Sequence, residues 1–145
     1  MKFAELTTGR RIELGPVEMT EAEILEFAGR YDPQWFHTDP ERAKDGLWGG
    51  LIASGWHTCA VSMGLVVRNV LEGSESFGSP GLEYLKWTAP VRPGDRIRVV
   101  LEVLDQRSSQ SKPDLGIVRW RWQTYNQDDV QVLDITATSL FKLTV

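Results

Sequence analysis

WHTCAVSMGLVVRNVL, residues 56–71, is the most apolar stretch of the chain, and its surroundings decide what it can be. Ser62 and Arg68 interrupt it, and it falls short of the roughly 20 residues that a helix needs to cross a bilayer. A helix drawn through it carries apolar residues on nearly every face, which predicts burial among other elements of a soluble protein rather than a membrane span. What surrounds it follows in the chain, where the apolar period changes from helical to alternating. Ile97, Val99, Leu101 and Val103 share one face of RIRVVLEV. In IVRWRWQT, Val118, Trp120, Trp122 and Thr124 lie opposite Arg119, Arg121 and Gln123. These are half-buried strands. GLEYLKWTAPV (81–91), VQVLDITATSLFKL (130–143) and RIELGPVEM (11–19) add further strands, separated by the turn RPGD (92–95) and the polar loop DQRSSQSKPDLG (105–116). About five strands follow or flank one buried helix, which predicts an α+β class with a curved antiparallel sheet wrapped around a long central helix.

Upstream, TEAEILEF offers Thr20 as N-cap with Glu23 three residues on, and Ile24, Phe27, Ala28 and Tyr31 recur at helical spacing. The helix should end near Arg30, because Pro33 disfavours the α region for Asp32. In TDPERAKDG, Asp39 is placed as N-cap, Pro40 at the first helical position and Gly46 after the last turn, a second and very short helix. At 145 residues the chain is read as a single domain, 1–145. Its net charge of -4 contains no basic block, which argues against a nucleic-acid partner. One cysteine, Cys59, cannot form an internal disulfide, and MKFAELTTGRRIELG lacks the apolar core of a signal peptide, so the expected location is cytoplasmic.

The polar chemistry is concentrated just before the central helix, in RYDPQWFHTDPERAKDGLWGGLIASGWHT (30–58). Asp32 and His37 lie five residues apart on a segment where Pro33 intervenes and QWF offers no helical start, so no regular helix is expected between them. A carboxylate and an imidazole held together can move a proton near neutral pH. The bland alternative is an aspartate that ends a helix and a histidine that fills the core. Gly49, Gly50 and Gly55 lead into the central helix, whose free N–H groups and positive dipole end suit an oxyanion. An enolate forming on a thioester could rest on the Gly55 N–H; equally, Gly49 and Gly50 could serve a turn and Gly55 close packing. His57, in the first turn of that helix, is read as structural or as a neutral donor. His37 and His57 without a cysteine pattern make a poor zinc site, and no flavin or nicotinamide fingerprint is present, so neither metal nor separate cofactor is expected. Arg119 and Arg121 are read as a solvated sheet face, with phosphate binding as the alternative.

YDPQWFHTDPERA, GGLIASGWHT, GLEYLKWTAPVRPGD and RSSQSKPDLGIV together resemble the MaoC-like dehydratases, the family of the (R)-specific enoyl-CoA hydratases, over most of the chain. The family motif Asp-x-Asn-Pro-x-His, followed by an acidic residue, matches Asp32, His37 and Asp39, with Gln34 and Trp35 where Asn-Pro is usual. A helix serine of the family falls on Met63, with Ser62 one residue early. The resemblance implies a hot-dog fold, pairing as a homodimer or a higher homo-oligomer, and reversible hydration of a trans-2-enoyl-CoA in fatty acid metabolism, coenzyme A being part of the substrate. It implies Asp32 and His37 as the catalytic pair acting on one water, and Gly55 as the carbonyl donor. Gln34, Trp35, Ser54 and Trp56 are expected to bind substrate. Trp35, Phe36, Trp48 and Trp56 would crowd the acyl pocket, which favours a short or branched acyl group; core or interface packing is the alternative for Trp48 and Trp56. The rival readings are a hot-dog thioesterase and a non-catalytic acyl-CoA-binding domain.

Overall fold

The alternation in the second half of the sequence builds one antiparallel sheet. The computed structural model describes residues 1–144 and places strands β1 (Arg11–Glu18), β2 (Ser76–Lys86), β3 (Arg96–Ser108), β4 (Leu115–Tyr125) and β5 (Gln131–Lys142) in the order β1-β3-β4-β5-β2. Register aligns Leu101 with Trp122 and Ile135, and Val103 with Trp120 and Ala137, so one face carries matched apolar rows across three strands. Those residues are buried together with Ile97, Val99, Val118 and Leu133. β1 reaches this face through a bulge between Leu14 and Val17. There Gly15 has φ of 101°, and a Cβ would stand 3.0 Å from the Ile97 carbonyl oxygen, so only glycine fits without strain.

Before the sheet closes, four helices assemble: α1 (Glu21–Tyr31), α2 (Trp35–Thr38), α3 (Pro40–Ala43) and α4 (Gly55–Val66), the last prolonged by a π-helical turn, Val67–Leu71. The Thr20 side chain caps α1 by accepting from the Glu23 N–H at 3.2 Å, and α1 buries Ile24 and Ala28. Asp39 caps α3 by accepting from the Arg42 N–H at 3.1 Å, with Pro40 at its start. α4 packs on β1, β3 and α1, burying Leu65 and Val66, and the π turn adds Val70.

Four expectations are corrected. The central helix is not enclosed on every side: Trp56 (58 %), Met63 (43 %) and Val67 (38 %) form an exposed apolar stripe that this chain leaves uncovered. β2 spans 76–86 rather than 81–91, because SFGSPG, despite its glycines and proline, pairs with β5 through bulges at the sheet edge, where such residues are tolerated. The polar loop shrinks to 109–114, since the flanking residues extend β3 and β4 beyond the core. Between Asp32 and His37 the chain does form a helical turn, α2: Gln34 is extended (φ −83°, ψ 142°), and its carbonyl accepts the His37 N–H at 2.9 Å. One such cap suffices for a single turn. Among the described residues, no helix is long and apolar enough to cross a membrane.

Candidate active site

Three segments meet at the N-terminus of α4. Asp32 follows the end of α1, α2 presents His37, and the buried strap 51–54 runs between α2 and the stretch 87–91 that follows β2. The Ile52 N–H donates to the Phe36 carbonyl at 3.1 Å and the Ala53 N–H to the Val91 carbonyl at 2.8 Å, so the strap is fixed on both sides.

Asp32 and His37 face each other, with Oδ2 3.3 Å from Nε2. Nδ1 of His37 lies 2.7 Å from the Ile52 carbonyl, which can only accept, so Nδ1 carries a hydrogen and Nε2 is left toward the carboxylate. Asp32 also accepts from Gln34 Nε2 at Oδ1 (2.8 Å) and from Ser54 Oγ at Oδ2 (2.7 Å). Burial pushes its carboxyl upward, but the Gln34 and Ser54 hydrogen bonds and the His37 charge outweigh it, leaving Asp32 below its ordinary range. Both groups open on a cavity of about 410 Å³, which Gly55, Trp48, Trp56 and Trp87 also line. The Gly55 N–H lies in the first turn of α4, where no intrahelical acceptor exists, and no other acceptor takes it up among the described residues. A proton-transfer pair and a free donor at a helix N-terminus thus share one cavity.

A family model described as a MaoC like domain matches residues 3–121. The chain belongs to the MaoC-like domain family. It is 32% identical to the uncharacterised protein YdeM of Bacillus subtilis over 142 residues, 98% of this chain and 99% of that one. It is 37% identical over 84 residues to 3-hydroxyacyl-thioester dehydratase Z of Mycobacterium tuberculosis, a stretch covering 57% of this chain and 56% of that enzyme. Among solved structures, the MaoC-like dehydratase of Rhodospirillum rubrum superposes with a TM-score of 0.88 at 38% identity, covering 98% of this chain and 97% of that one. The unliganded R-hydratase PhaJ1 of Pseudomonas aeruginosa superposes with a TM-score of 0.79 at 25% identity, covering 98% and 86%. The sheet folded on its central helix is the hot-dog fold.

Within this MaoC-like site, Asp32, His37, Gly55, Gln34 and Trp56 gather at the cavity. Trp35 does not. Its ring stacks on the Arg42 guanidinium at 4.4 Å and packs on Gly46, where a Cβ would stand 2.8 Å from Cη2, so it turns outward while its neighbour Phe36 meets His37 edge-on at 4.4 Å. Ser54 does not face a substrate either: it is fully buried, and its hydroxyl is spent on Asp32. Met63 lies on the exposed stripe, and Ser62 shares a 2.9 Å hydrogen bond with Thr124 beneath the sheet, so neither supplies a hydroxyl to the pair. Arg119 and Arg121 grip Glu83 and Asp134 in two-point ion pairs on the sheet face, away from the cavity. Gly49 (φ 67°) and Gly50 (φ 151°) make a turn, beside which Arg92 holds the Trp48 carbonyl at 2.6 Å. His57 is buried and stacked on Phe27 at 4.7 Å. Its Nδ1 has no hydrogen-bond partner, and burial holds the imidazole below its ordinary value, against a weaker opposing effect of Glu23. Trp87 escaped the sequence reading, which put it inside a strand; its indole covers Gly55 and meets Trp56 edge-on at 5.1 Å. Among the described residues no three of His, Cys, Asp and Glu cluster as metal ligands.

Proposed function

We propose that the protein catalyses reversible addition of water to a trans-2-enoyl thioester, giving a 3-hydroxyacyl thioester. The observation that carries this is the approach of Asp32 Oδ2 to His37 Nε2 at 3.3 Å on the wall of a cavity that also holds the Gly55 N–H. A water bound between carboxylate and imidazole gives up a proton to the pair while its oxygen adds to C3. The C2–C3 π electrons move onto the thioester carbonyl, whose negative charge the Gly55 N–H and the helix end stabilise. The pair then returns the proton to C2. No metal or redox partner enters this balance, and coenzyme A is part of the substrate. Membership of the MaoC-like family, and its hydratase and dehydratase relatives, support the same chemistry.

The acyl group is short or branched in this reading, because Trp48, Trp56 and Trp87 all crowd a cavity of about 410 Å³. A second copy of the chain covers Trp56 and Met63 of α4 and Val67 of the π turn together with Phe77, Leu82 and Tyr84 of the edge strand β2, all more than a third exposed. This homodimer is testable by sedimentation.

Loss of enoyl absorbance from crotonyl-CoA, measured for wild type and Asp32→Asn, tests the reaction. Turnover by the wild type alone is expected. Release of free thiol would instead assign thioester hydrolysis, and binding without either product would assign a non-catalytic acyl-CoA-binding role. Efficient turnover of a twelve-carbon enoyl-CoA would overturn the short-chain part.

A further inference from the structure

Ser54 stands at the N-cap of α4, where a serine hydroxyl ordinarily accepts from an N–H of the first turn. Here it makes no such bond. The His57 N–H, which a capping hydroxyl would serve, goes to the Ser54 carbonyl at 3.0 Å instead, and the hydroxyl turns away from the helix to donate to Asp32 Oδ2 at 2.7 Å. The serine is fully buried, so water does not replace this bond, and because a carboxylate only accepts, the direction of the hydroxyl hydrogen is fixed.

On these grounds, and resting on the hydratase reading above, we infer that Ser54 is a positioning residue that locks the Asp32 carboxylate against the helix end carrying the oxyanion donor. Gln34 holds Oδ1 from Asp32's own segment, two residues away, and Ser54 holds Oδ2 from a segment twenty-two residues on. The second tether is the informative one. Ser54 immediately precedes Gly55, so a single peptide unit joins the group that steers the base to the N–H that receives the carbonyl charge. Water addition needs the base near C3 and the donor near the carbonyl oxygen at once, and a misplacement of about 1 Å between such groups costs on the order of 100-fold. Oδ2 is also the oxygen that faces His37, so the hydroxyl stabilises the anion at the atom where the proton is exchanged. His37 is the one titratable group that bears on Asp32; Gln34 and Ser54 are neutral donors. The site thus holds its carboxylate with two neutral donors and without a permanent cation, and one of the donors, Gln34, stands where the usual motif has Asn.

Ser54→Ala removes the hydroxyl, and Ser54→Cys keeps nearly the same volume with a much weaker donor. Both are measured in the full chain by crotonyl-CoA hydration across pH, by thermal melting, and by NMR titration of the imidazoles, with His57 as internal reference. We expect kcat to fall about tenfold with KM within about twofold of wild type. The acidic limb of the rate profile should move to higher pH, because the anion has lost a donor. The His37 titration should also move to higher pH, since the freed carboxylate draws harder on the imidazole proton, while His57 and the melting temperature stay near wild type. A pH profile and a His37 titration unchanged in both variants would overturn the inference, as would a loss confined to KM or to thermal stability. If Ser54→Ala does not fold, Ser54→Cys decides. If the wild type hydrates no enoyl thioester, the reaction assigned above fails on its own, and the His37 titration still decides whether Ser54 governs the Asp32–His37 pair.

Discussion

Asp32 at the cavity and Asp134 on the outer face of the sheet are both largely buried carboxylates with a donor on each oxygen, yet they are built for opposite ends. Asp134 sits in the fork of Arg121, with Nε to Oδ1 at 3.0 Å and Nη2 to Oδ2 at 2.9 Å. A guanidinium does not deprotonate, so this carboxylate has no partner with which to trade a proton. Asp32 instead takes neutral donors from Gln34 and Ser54, and its titratable neighbour is an imidazole, which unlike a guanidinium can exchange a proton with it. The difference separates a structural ion pair from a group free to work.

The sharpest way to break that contrast is to exchange each carboxylate for its amide. Asp32→Asn should lower hydration kcat about 1000-fold, whereas Asp134→Asn should leave it within about twofold, as read by loss of enoyl absorbance. His37→Ala is expected to cost about 100-fold in kcat, with little change in melting temperature. Removing the cation on the sheet reverses the pattern. Arg121→Ala should leave kcat unchanged and cost about 1 kcal/mol, a drop of roughly 2–4 °C in melting temperature, because Asp134 remains with its partner gone. The smallest effect concerns pH. The His57 imidazole is held below its ordinary value of 6.5, so the unfolded chain binds that proton more readily than the native one. Stability therefore falls as pH drops from about 6.5 toward the lowered native value, and His57→Gln should flatten that part of a denaturation series. Asp32 adds its own loss only in stronger acid, as pH falls below its ordinary 3.8, since its native pKa is lowered.

Sequence alone revealed most of the sheet because β4 alternates strictly against the core and β3 does so apart from the additionally buried Val100, and Val99, Leu101, Trp120 and Trp122 have no other place to go. It misplaced β2, whose glycines and Pro80 belong to a bulged edge with no strict inward face. The pairing of Asp32 with His37 was legible because both sit on one short segment. Ser54 and Trp87 were not, since their roles depend on segments brought together only by the fold. Trp35 misled for a local reason: successive residues of a helical turn point about 100° apart, so its ring leaves the cavity that His37 faces.

The indole of Trp87 lies so close over Gly55 that a Cβ there would collide with Nε1 and Cε2. The two positions therefore behave as a linked pair in any mutational landscape. Alanine at 55 is rejected while tryptophan stays at 87, and a smaller side chain at 87 opens position 55 to residues that would otherwise push the indole aside. A library that varies one position at a time would score 55 as invariant, whereas a two-position library would find it permissive along a diagonal of shrinking partners.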